Sequence, residues 1–376
     1  MTRDAVSRRF ALAALGATAF GAANGSPVLV PALPSSAPFA RLKEGGAMTD
    51  HLMPGEEAER STSSPAPAGT PGQWIAKAPL PLPRSEMAWG TAWAGRLHVI
   101  GGYGEGRVDR TYHHVYVPDE DRWYVAAPLP RGANHVAVVA HAGRVYALGG
   151  FVDQNTNPID NAYAYEVDVD RWTSIAPLPR ARGAAGAVVV DGQIHLIGGA
   201  SSPKEERASV GWHEVYDPAS DRWGIRKALP GARDHVGCVG YNGRIHVVGG
   251  RFNTFEYNTN LHHVYLPDRD TWELRTPMPT TRSGHGFVVY RDRFFAMGGE
   301  AGIIANGAIT QARVFGQMES YDPVADTWLR HAPMPTPRHA VGAAAIGDAI
   351  YVAGGGAVTG GSIQSAVHEA FTLPMG

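Results

Sequence analysis

A segment of 28 or 29 residues recurs six times in this chain of 376 residues, about once every 50 residues. Each copy runs from a Trp, through a Pro-rich turn and an apolar stretch, to a pair of glycines. In five copies the first Gly lies 26 residues after the Trp, and in the first copy the spacing is 27. The copies span residues 74–102, 123–150, 172–199, 223–250, 272–299 and 328–355. Because the spacing is constant, the fold must contain six equivalent units.

Composition supports an all-β fold and excludes several functions. The 46 Gly and 28 Pro indicate many turns, and 44% hydrophobic residues are enough for a substantial core. A formal net charge of −2 gives no basic surface for nucleic acid or for an anionic membrane. Cys238 is the only cysteine, so an internal disulfide and a cysteine-based zinc cluster are both excluded.

Four short strands are predicted in each unit. Two of them flank a tight turn and end on the paired glycines, where the chain must bend sharply with positive φ. After a loop of variable length, a third strand carries a Tyr seven residues before the Trp, and an Asp two residues before the Trp closes the turn to the fourth strand. The Tyr, Asp and Trp sets are Tyr116, Asp121 and Trp123; Tyr165, Asp170 and Trp172; Tyr216, Asp221 and Trp223; Tyr265, Asp270 and Trp272; and Tyr321, Asp326 and Trp328.

Paired Gly, Tyr, Asp and Trp in this order resemble the Kelch repeat, and the likeness covers residues 72–376. The resemblance implies a six-bladed β-propeller with four antiparallel strands per blade around a central channel. The last unit reaches a third strand near residue 367 but has no Trp after it, whereas the segment at Trp74 precedes the first unit. We therefore expect the N-terminal strand at Trp74 to complete the last blade and close the ring.

The segments before the propeller are typical of an exported protein. Arg3, Arg8 and Arg9 precede an apolar run in residues 10–23, which predicts a signal peptide at residues 1–23 that resembles a twin-arginine signal. The apolar run is too short to span a bilayer. Residues 24–71 are rich in Pro, Ala and Ser and are predicted to be a linker. We expect a periplasmic or secreted protein.

Arginines and histidines are predicted to meet the glycine loops at one channel mouth. Six guanidinium groups there favour an anionic ligand, and the alternative is that a repeated Arg is scaffold that bonds loop carbonyls or carboxylates. In the first unit Trp89 replaces the small residue of the other units and is expected to plug the channel or to form the floor of a pocket. The predicted ligand-binding residues are Arg84, Arg131, Arg182, Arg233, Arg282, Arg338, His135, His235 and His285.

A second resemblance concerns the longest loop, which begins at Gly298, Gly299 and Glu300 and continues to Arg313. It is similar to a loop of bacterial sialic acid mutarotases, which are exported Kelch propellers. The resemblance implies that Glu300 is a catalytic base and that Arg313 holds the substrate carboxylate. The alternative is that Glu300 only pairs with an Arg at the mouth.

No metal site and no cofactor are predicted. Glu105, Asp109 and His113 resemble the iron motif of plant specifier proteins, but His113 recurs in other units without the carboxylates and is better explained by strand packing. Galactose oxidase, another propeller, requires a cysteine crosslinked to tyrosine, whereas Cys238 lies in mid-strand as an apolar filler. The preferred hypothesis is an exported module that binds an anionic sugar or a protein segment; the alternative is a sugar-acid mutarotase that uses Glu300.

Overall fold

Six four-stranded antiparallel sheets make up the part of the chain that the computed structural model describes, which is residues 65–374 except 88, 203–205, 254–256 and 306–307. Each sheet is one blade of a β-propeller, with its first strand at the channel. The predicted fold class is therefore confirmed. The predicted signal peptide and residues 24–64 of the predicted linker lie outside the described residues.

The strands of each blade follow one another from the channel to the rim. Blade 1 contains Thr91–Trp93, Arg96–Ile100, His113–Val117 and Arg122–Val125. Blade 2 contains Ala137–His141, Arg144–Leu148, Ala162–Glu166 and Arg171–Ser174. Blade 3 contains Gly186–Val190, Gln193–Ile197, His213–Asp217 and Arg222–Arg226. Blade 4 contains Gly237–Tyr241, Arg244–Val248, His262–Leu266 and Thr271–Leu274. Blade 5 contains Gly286–Tyr290, Arg293–Met297, Met318–Asp322 and Thr327–Arg330. Blade 6 contains Gly342–Ile346, Ala349–Ala353, His368–Thr372 and Gln73–Ala76.

Short elements occur between the blade strands. Four two-stranded hairpins follow glycine pairs: Tyr103–Gly104 with Val108–Asp109, Phe151–Val152 with Asn157–Pro158, Ala200–Ser201 with Ala208–Ser209, and Glu300–Ala305 with Ala308–Val314. Single 3-10 turns occur at Glu105–Arg107, Pro118–Glu120, Val167–Val169 and Thr359–Gly361. In the described part, no helix has the length and apolar character needed to cross a membrane.

The N-terminal strand closes the ring, as predicted. Gln73–Ala76 pairs antiparallel with His368–Thr372, and Trp74 lies opposite Phe371 with ring centroids 5.2 Å apart. Residues 65–71, which the sequence analysis placed in the linker, run along the rim of blade 5. There the Arg330 amide donates to the Pro67 carbonyl and the Gly69 amide donates to the Arg330 carbonyl, both at 2.9 Å. The segment before the strand therefore also packs on the propeller.

Each Trp of the repeat joins its blade to the preceding blade. The indole Nε1 of Trp123 donates to the Ala78 carbonyl at 2.8 Å, and the other repeat Trp residues bond in the same way. Trp74 donates to Ala332 and so continues the pattern across the chain ends. The repeat Asp accepts from the Tyr hydroxyl of its own blade and from an amide of the preceding blade, as Asp221 does from Tyr216 and Ala176. The constant Tyr, Asp and Trp spacing thus serves contacts between blades.

The paired glycines have the backbone conformation that the sequence predicted. Gly298 and Gly299 have φ values of 67° and 106°, which side chains rarely adopt. A Cβ on Gly298 would lie 2.3 Å from the Arg338 carbonyl oxygen of the next blade. The bend and the close approach to the next blade both require Gly at this position.

Candidate functional site

The glycine loops and the arginine turns lie on the same side of the ring, as predicted. In every blade, the residue directly after the buried residue of the arginine turn forms a β-bridge with the residue directly after the glycine pair. The six bridged pairs are Ser85 with Tyr103, Asn134 with Phe151, Gly183 with Ala200, Asp234 with Arg251, Ser283 with Glu300, and His339 with Gly356. We call this side the loop face. It consists of the described residues that follow the glycine pairs, which are 103–109, 151–158, 200–202, 206–209, 251–253, 257–258, 300–305, 308–314 and 356–364.

Five of the predicted ligand-binding arginines are buried and have scaffold contacts. The Nη1 atom of Arg282 donates to the carbonyls of Gly298 and Gln317 at 2.7 and 2.8 Å. The relative exposure of these five arginines is 0 to 1%, so their guanidinium groups are not presented to a ligand at the mouth. Their contacts are those of the scaffold alternative. The buried arginines are Arg84, Arg182, Arg233, Arg282 and Arg338.

Arg131 is not equivalent to the other five. The residue of blade 2 that occupies the buried position is Ala133, whose carbonyl accepts from the Gly102 amide as the Arg338 carbonyl accepts from Gly299. Arg131 lies two residues earlier, is exposed, and donates to the Asn161 side chain at 3.0 Å. Arg131 lies 18 residues before Gly149, whereas Arg182 lies 16 residues before Gly198, so the two arginines are not at equivalent positions.

The third strand supplies a partner for each buried guanidinium group. In three blades the partner is a carboxylate, and in two it is a His that lies beside Nη2 of Arg84 or Arg233. Where Ala133 replaces the Arg, the third strand carries Tyr163 instead. Burial lowers the pKa of Arg84, which has no carboxylate partner, to about 9. The carboxylate pairs are Arg182 with Glu214, Arg282 with Glu319, and Arg338 with Glu369.

A ring of backbone hydrogen bonds surrounds the channel axis directly inside the bridged pairs. Each blade contributes one residue, with φ between 47° and 60°. Five hydrogen bonds of 2.6 to 3.0 Å connect consecutive members, each from an amide to the carbonyl of the preceding blade. The six members, which we call the axial ring, are Glu86, His135, Ala184, His235, Gly284 and Ala340.

Two predicted histidines and one unpredicted carboxylate meet at the axial ring. The Nε2 atom of His135 lies 2.8 Å from Oε2 of Glu86, and that of His235 lies 3.9 Å from the same oxygen. His339 approaches the other Glu86 oxygen at 2.8 Å. Although burial alone would raise it, His339 and His135 hold the pKa of Glu86 well below its usual range.

Glu300 joins this network and is buried with 1% relative exposure. It accepts from Arg251 Nη1 and from the Gly360 amide, both at 2.8 Å, and it lies 3.3 Å from His339. Although burial alone would lower it, Glu300 and Glu86 raise the pKa of His339 to about 9. The sequence alternative in which Glu300 pairs with an Arg at the mouth is therefore realised, and the Arg is Arg251.

The structure does not bring Glu300 and Arg313 together. In the hairpin Glu300 lies opposite Val314, and Arg313 lies opposite Ala301. Successive residues of a strand project to opposite faces, so the two side chains diverge. Arg313 is exposed and lies over the Phe315 ring, with the guanidinium carbon 4.5 Å from the centroid.

His285 and Trp89 lie next to the axial ring. With His135 and His235 they line a cavity of about 10 Å³, and Trp89 also lines the channel beyond it. His285 is 1% exposed, and burial lowers its pKa well below the usual range. Beyond Trp89, the first strands surround a channel of about 320 Å³ that includes Cys238, and burial raises the pKa of the Cys238 thiol.

The residues of the considered iron motif do not converge. Glu105 is exposed, and Asp109 accepts from Asn134 Nδ2 at 2.6 Å. His113 is buried between blades, where its Nε2 lies 2.9 Å from His98 Nδ1 and its ring lies 4.6 Å from that of Tyr165. Strand packing, the alternative favoured by the sequence, describes His113.

Two further histidine pairs repeat this contact between the second and third strands of one blade, His195 with His213 and His246 with His262, each at 2.9 Å. Burial lowers the pKa of His98 to about 4 and that of His213 to about 3. These imidazoles are therefore neutral in the folded protein at pH values where an unfolded chain already binds protons.

We expect the protein to lose stability as the pH falls from 6.5 to 5.0. The unfolded state takes up protons below its histidine pKa of about 6.5, and the folded state does so only near pH 3 to 4. Each such histidine should contribute about 1 kcal/mol or more over this interval. Urea unfolding at both pH values measures the change. The double variant His98→Gln/His113→Gln should show a smaller pH dependence, and equal wild-type stability at pH 6.5 and 5.0 would contradict the interpretation.

Comparisons with known proteins agree with this architecture. A family model described as the KLHDC2/KLHL20/DRC7 Kelch-repeats domain matches residues 85–299. The Kelch-like protein terF of Aspergillus terreus is 28% identical over 347 residues, which are 86% of this chain and 72% of that protein. Human Kelch-like protein 35 is 45% identical over 159 residues, 42% of this chain and 25% of that protein. The Kelch repeat-containing protein At3g27220 of Arabidopsis thaliana is 35% identical over 95 residues, 23% of this chain and 22% of that protein.

Proposed function

The chain belongs to the Kelch-repeat family, and we propose that it is a protein-binding module whose partner docks on the loop face. The centre of this face is closed by the axial ring and its buried polar network. The described cavity beside the ring, about 10 Å³, is far smaller than the several hundred Å³ typical of small-molecule sites. A ligand on this face would therefore contact the surrounding loops. A surface made of several loops suits a protein partner better than a small molecule.

The hairpin in residues 300–314 carries the proposal. Its strands, Glu300–Ala305 and Ala308–Val314, are the longest of the loop face, and their pairing continues to Ala305 opposite Ala308. The sequence of residues 302–312 contains three isoleucines and no charged residue. A segment without charged residues on the loop face is typical of a site for a protein partner.

We expect Ile304→Lys/Ile309→Lys to weaken capture of partner proteins at least 10-fold. A charged side chain at these positions would oppose burial of the hairpin against a partner. The measurement is quantitative affinity capture with the full chain, followed by mass spectrometry. Val324→Lys is the matched control, because Val324 is 74% exposed in a turn on the opposite side of the ring.

Two outcomes would contradict the proposal. One is that the hairpin variant and the Val324→Lys control capture the same proteins as the wild type. The other is that no protein is enriched while a sugar acid binds directly and equally well to all three forms. The second outcome would favour the sugar hypothesis of the sequence analysis.

The sugar and mutarotase hypotheses receive less support from the geometry. A sugar acid at the mouth would require accessible guanidinium groups, and five of the predicted six are buried. The mutarotase would require Glu300 and Arg313 to face one substrate, but they lie on opposite faces of the hairpin. Export to the periplasm or outside the cell is a separate proposal, which rests on the sequence of residues 1–23 alone.

A further inference from the structure

We propose that the axial ring binds one divalent first-row transition metal ion, with Glu86, His135 and His235 as ligands. One oxygen of Glu86 and one ring nitrogen of each histidine lie within 4.8 Å of one another. All three side chains are buried, with relative exposures of 2 to 3%. A carboxylate and two imidazoles at such separations could converge on a common ion with small side-chain movements.

The backbone holds the three ligands in fixed places. They occupy the same position in blades 1, 2 and 4, with φ values of 50°, 51° and 56°. The His135 amide donates to the Glu86 carbonyl at 2.9 Å, and the His235 amide donates to the Ala184 carbonyl at 3.0 Å. A preformed arrangement of this kind is what a metal site on a rigid scaffold requires.

Outer hydrogen bonds direct both imidazoles inward. Nδ1 of His235 lies 2.5 Å from Oδ1 of Asp234, and Nδ1 of His135 bonds Oδ1 of Asn134. The Asn134 amide orientation is fixed because its Nδ2 donates to Asp109 and to the Phe151 carbonyl. Both partners can only accept, so each histidine carries its proton on Nδ1 and turns Nε2 to the axis. Metal-binding histidines are oriented by the same type of bond.

One of the inward-facing atoms, Oε2 of Glu86, lacks a well-aligned hydrogen bond among the described residues. This oxygen is buried, and His135 Nε2 is 2.8 Å away. His135 Nε2 faces this oxygen directly, so a proton or a metal ion must lie between the two atoms.

His339 lies 2.8 Å from Oε1 of Glu86. Arg251 is the second cation beside the site, and its Nη2 lies 3.2 Å from His235 Nε2 and donates to it. Its charge is offset by two carboxylates, because Nε lies 2.9 Å from Asp234 and Nη1 lies 2.8 Å from Glu300. Glu86 then remains the carboxylate available to a cation, shared with His339. A metal ion would compete with the His339 proton for this charge.

The cavity beside the ring can complete the coordination. Its volume of about 10 Å³ is close to the minimum for one water molecule, and His135, His235 and His285 line it. Both ring nitrogens of His285 are buried and have no hydrogen-bond partner among the described residues. A metal-bound water in this cavity would satisfy one of them. Two imidazoles and one carboxylate suit Zn²⁺, Fe²⁺ or Co²⁺ and do not suit Mg²⁺ or Ca²⁺.

Glu86, His135 and His235 form no compact metal-binding motif, because they come from three different repeats. Each axial residue lies two positions after the buried turn residue, as Glu86 does after Arg84 and His235 after Arg233. A bound ion would cross-link three blades at the axis, since its ligands come from blades 1, 2 and 4. The proposal is independent of the partner-binding function of the loops.

The test is a titration of the full-length, tag-free protein with Co²⁺ and Zn²⁺ after dialysis against a chelator. We expect one equivalent to bind, visible Co²⁺ absorption bands that Zn²⁺ abolishes, and a higher melting temperature with Zn²⁺. His135→Gln and His235→Gln should each weaken binding at least 100-fold, and Asn134→Ala about 10-fold through the outer bond. His141→Gln, on the first strand of blade 2, is the control and should bind like the wild type.

Less than 0.1 equivalent bound by the folded wild-type protein would overturn the proposal. Unchanged affinity in the His135→Gln/His235→Gln double variant would also overturn it. If these variants fail to fold, X-ray absorption of the Zn²⁺-loaded wild type decides, because imidazole nitrogens at about 2.0 to 2.1 Å must appear in the first shell. A spectrum with only oxygen ligands excludes the site.

Discussion

Deletion of residues 72–80 is expected to destabilise the whole propeller, because this segment completes blade 6. It removes the strand Gln73–Ala76 and so leaves His368–Thr372 without its outer partner. It also removes the Trp74 bond to Ala332, the packing of Trp74 on Phe371, and the buried Leu80. Removal of a large aromatic from a packed site alone costs about 3 to 5 kcal/mol, a large part of a typical stability of about 5 to 15 kcal/mol.

Circular dichroism during heating and urea unfolding measure the effect of this deletion. The control is a chain that begins at residue 65, which retains every contact in the described part and should unfold at the wild-type midpoint. The unfolding midpoint of Trp74→Ala should lie between those of the deletion variant and the control. A deletion variant with unchanged melting would show that closure by this strand does not hold the ring together.

Arg338→Met should lower the free energy of unfolding by about 3 to 5 kcal/mol, as expected when one partner of a buried ion pair is removed. The change leaves Glu369, which is 5% exposed, without the guanidinium group that lies 2.6 Å away. The carbonyls of Gly354 and Val367 also lose their donor. Arg131→Met is the matched control and should change stability by less than about 0.5 kcal/mol, because Arg131 is exposed.

A double variant tests whether the pair acts as one unit. Arg338→Ala/Glu369→Tyr copies the Ala133 and Tyr163 combination that blade 2 already contains. We expect it to recover at least half of the stability lost in Arg338→Met, since no buried charge remains unpaired. Urea unfolding measures all four forms. Equal stability of Arg338→Met and Arg131→Met would contradict the scaffold role.

The fold was predictable because Trp, Tyr, Asp and paired Gly each make a contact that recurs in every blade. Their spacing records the strand lengths, and the lone Trp74 before the first unit indicates where the ring closes. The loop face was predictable for the same reason, since strand order alone places the glycine loops and the arginine turns together. These properties depend on chain direction and strand length, which the sequence pattern contains.

Side-chain direction was not predictable from spacing. The sequence pattern predicts Arg282 at the mouth, but its side chain turns into the sheet. Its partners there are the carbonyl of Gly298 and the carboxylate of Glu319. Arg313 lies near Glu300 in the hairpin but on its other face. Glu86 was missed because blade 1 has one additional residue between the arginine and the glycines, which obscured its equivalence to His235.

The bond from each repeat Trp to the preceding blade has a consequence for the order of the chain. It recurs between blades 5 and 6, where Trp74 and Ala332 are 258 residues apart in sequence. Blade 6 differs from the others because no turn connects its third strand to its fourth. At the position where the other blades have Tyr it has Phe371, which has no hydroxyl. The set of indole bonds therefore has no first or last member around the ring. A circular permutant that starts at the outer strand of a different blade would therefore encode the same set of inter-blade bonds.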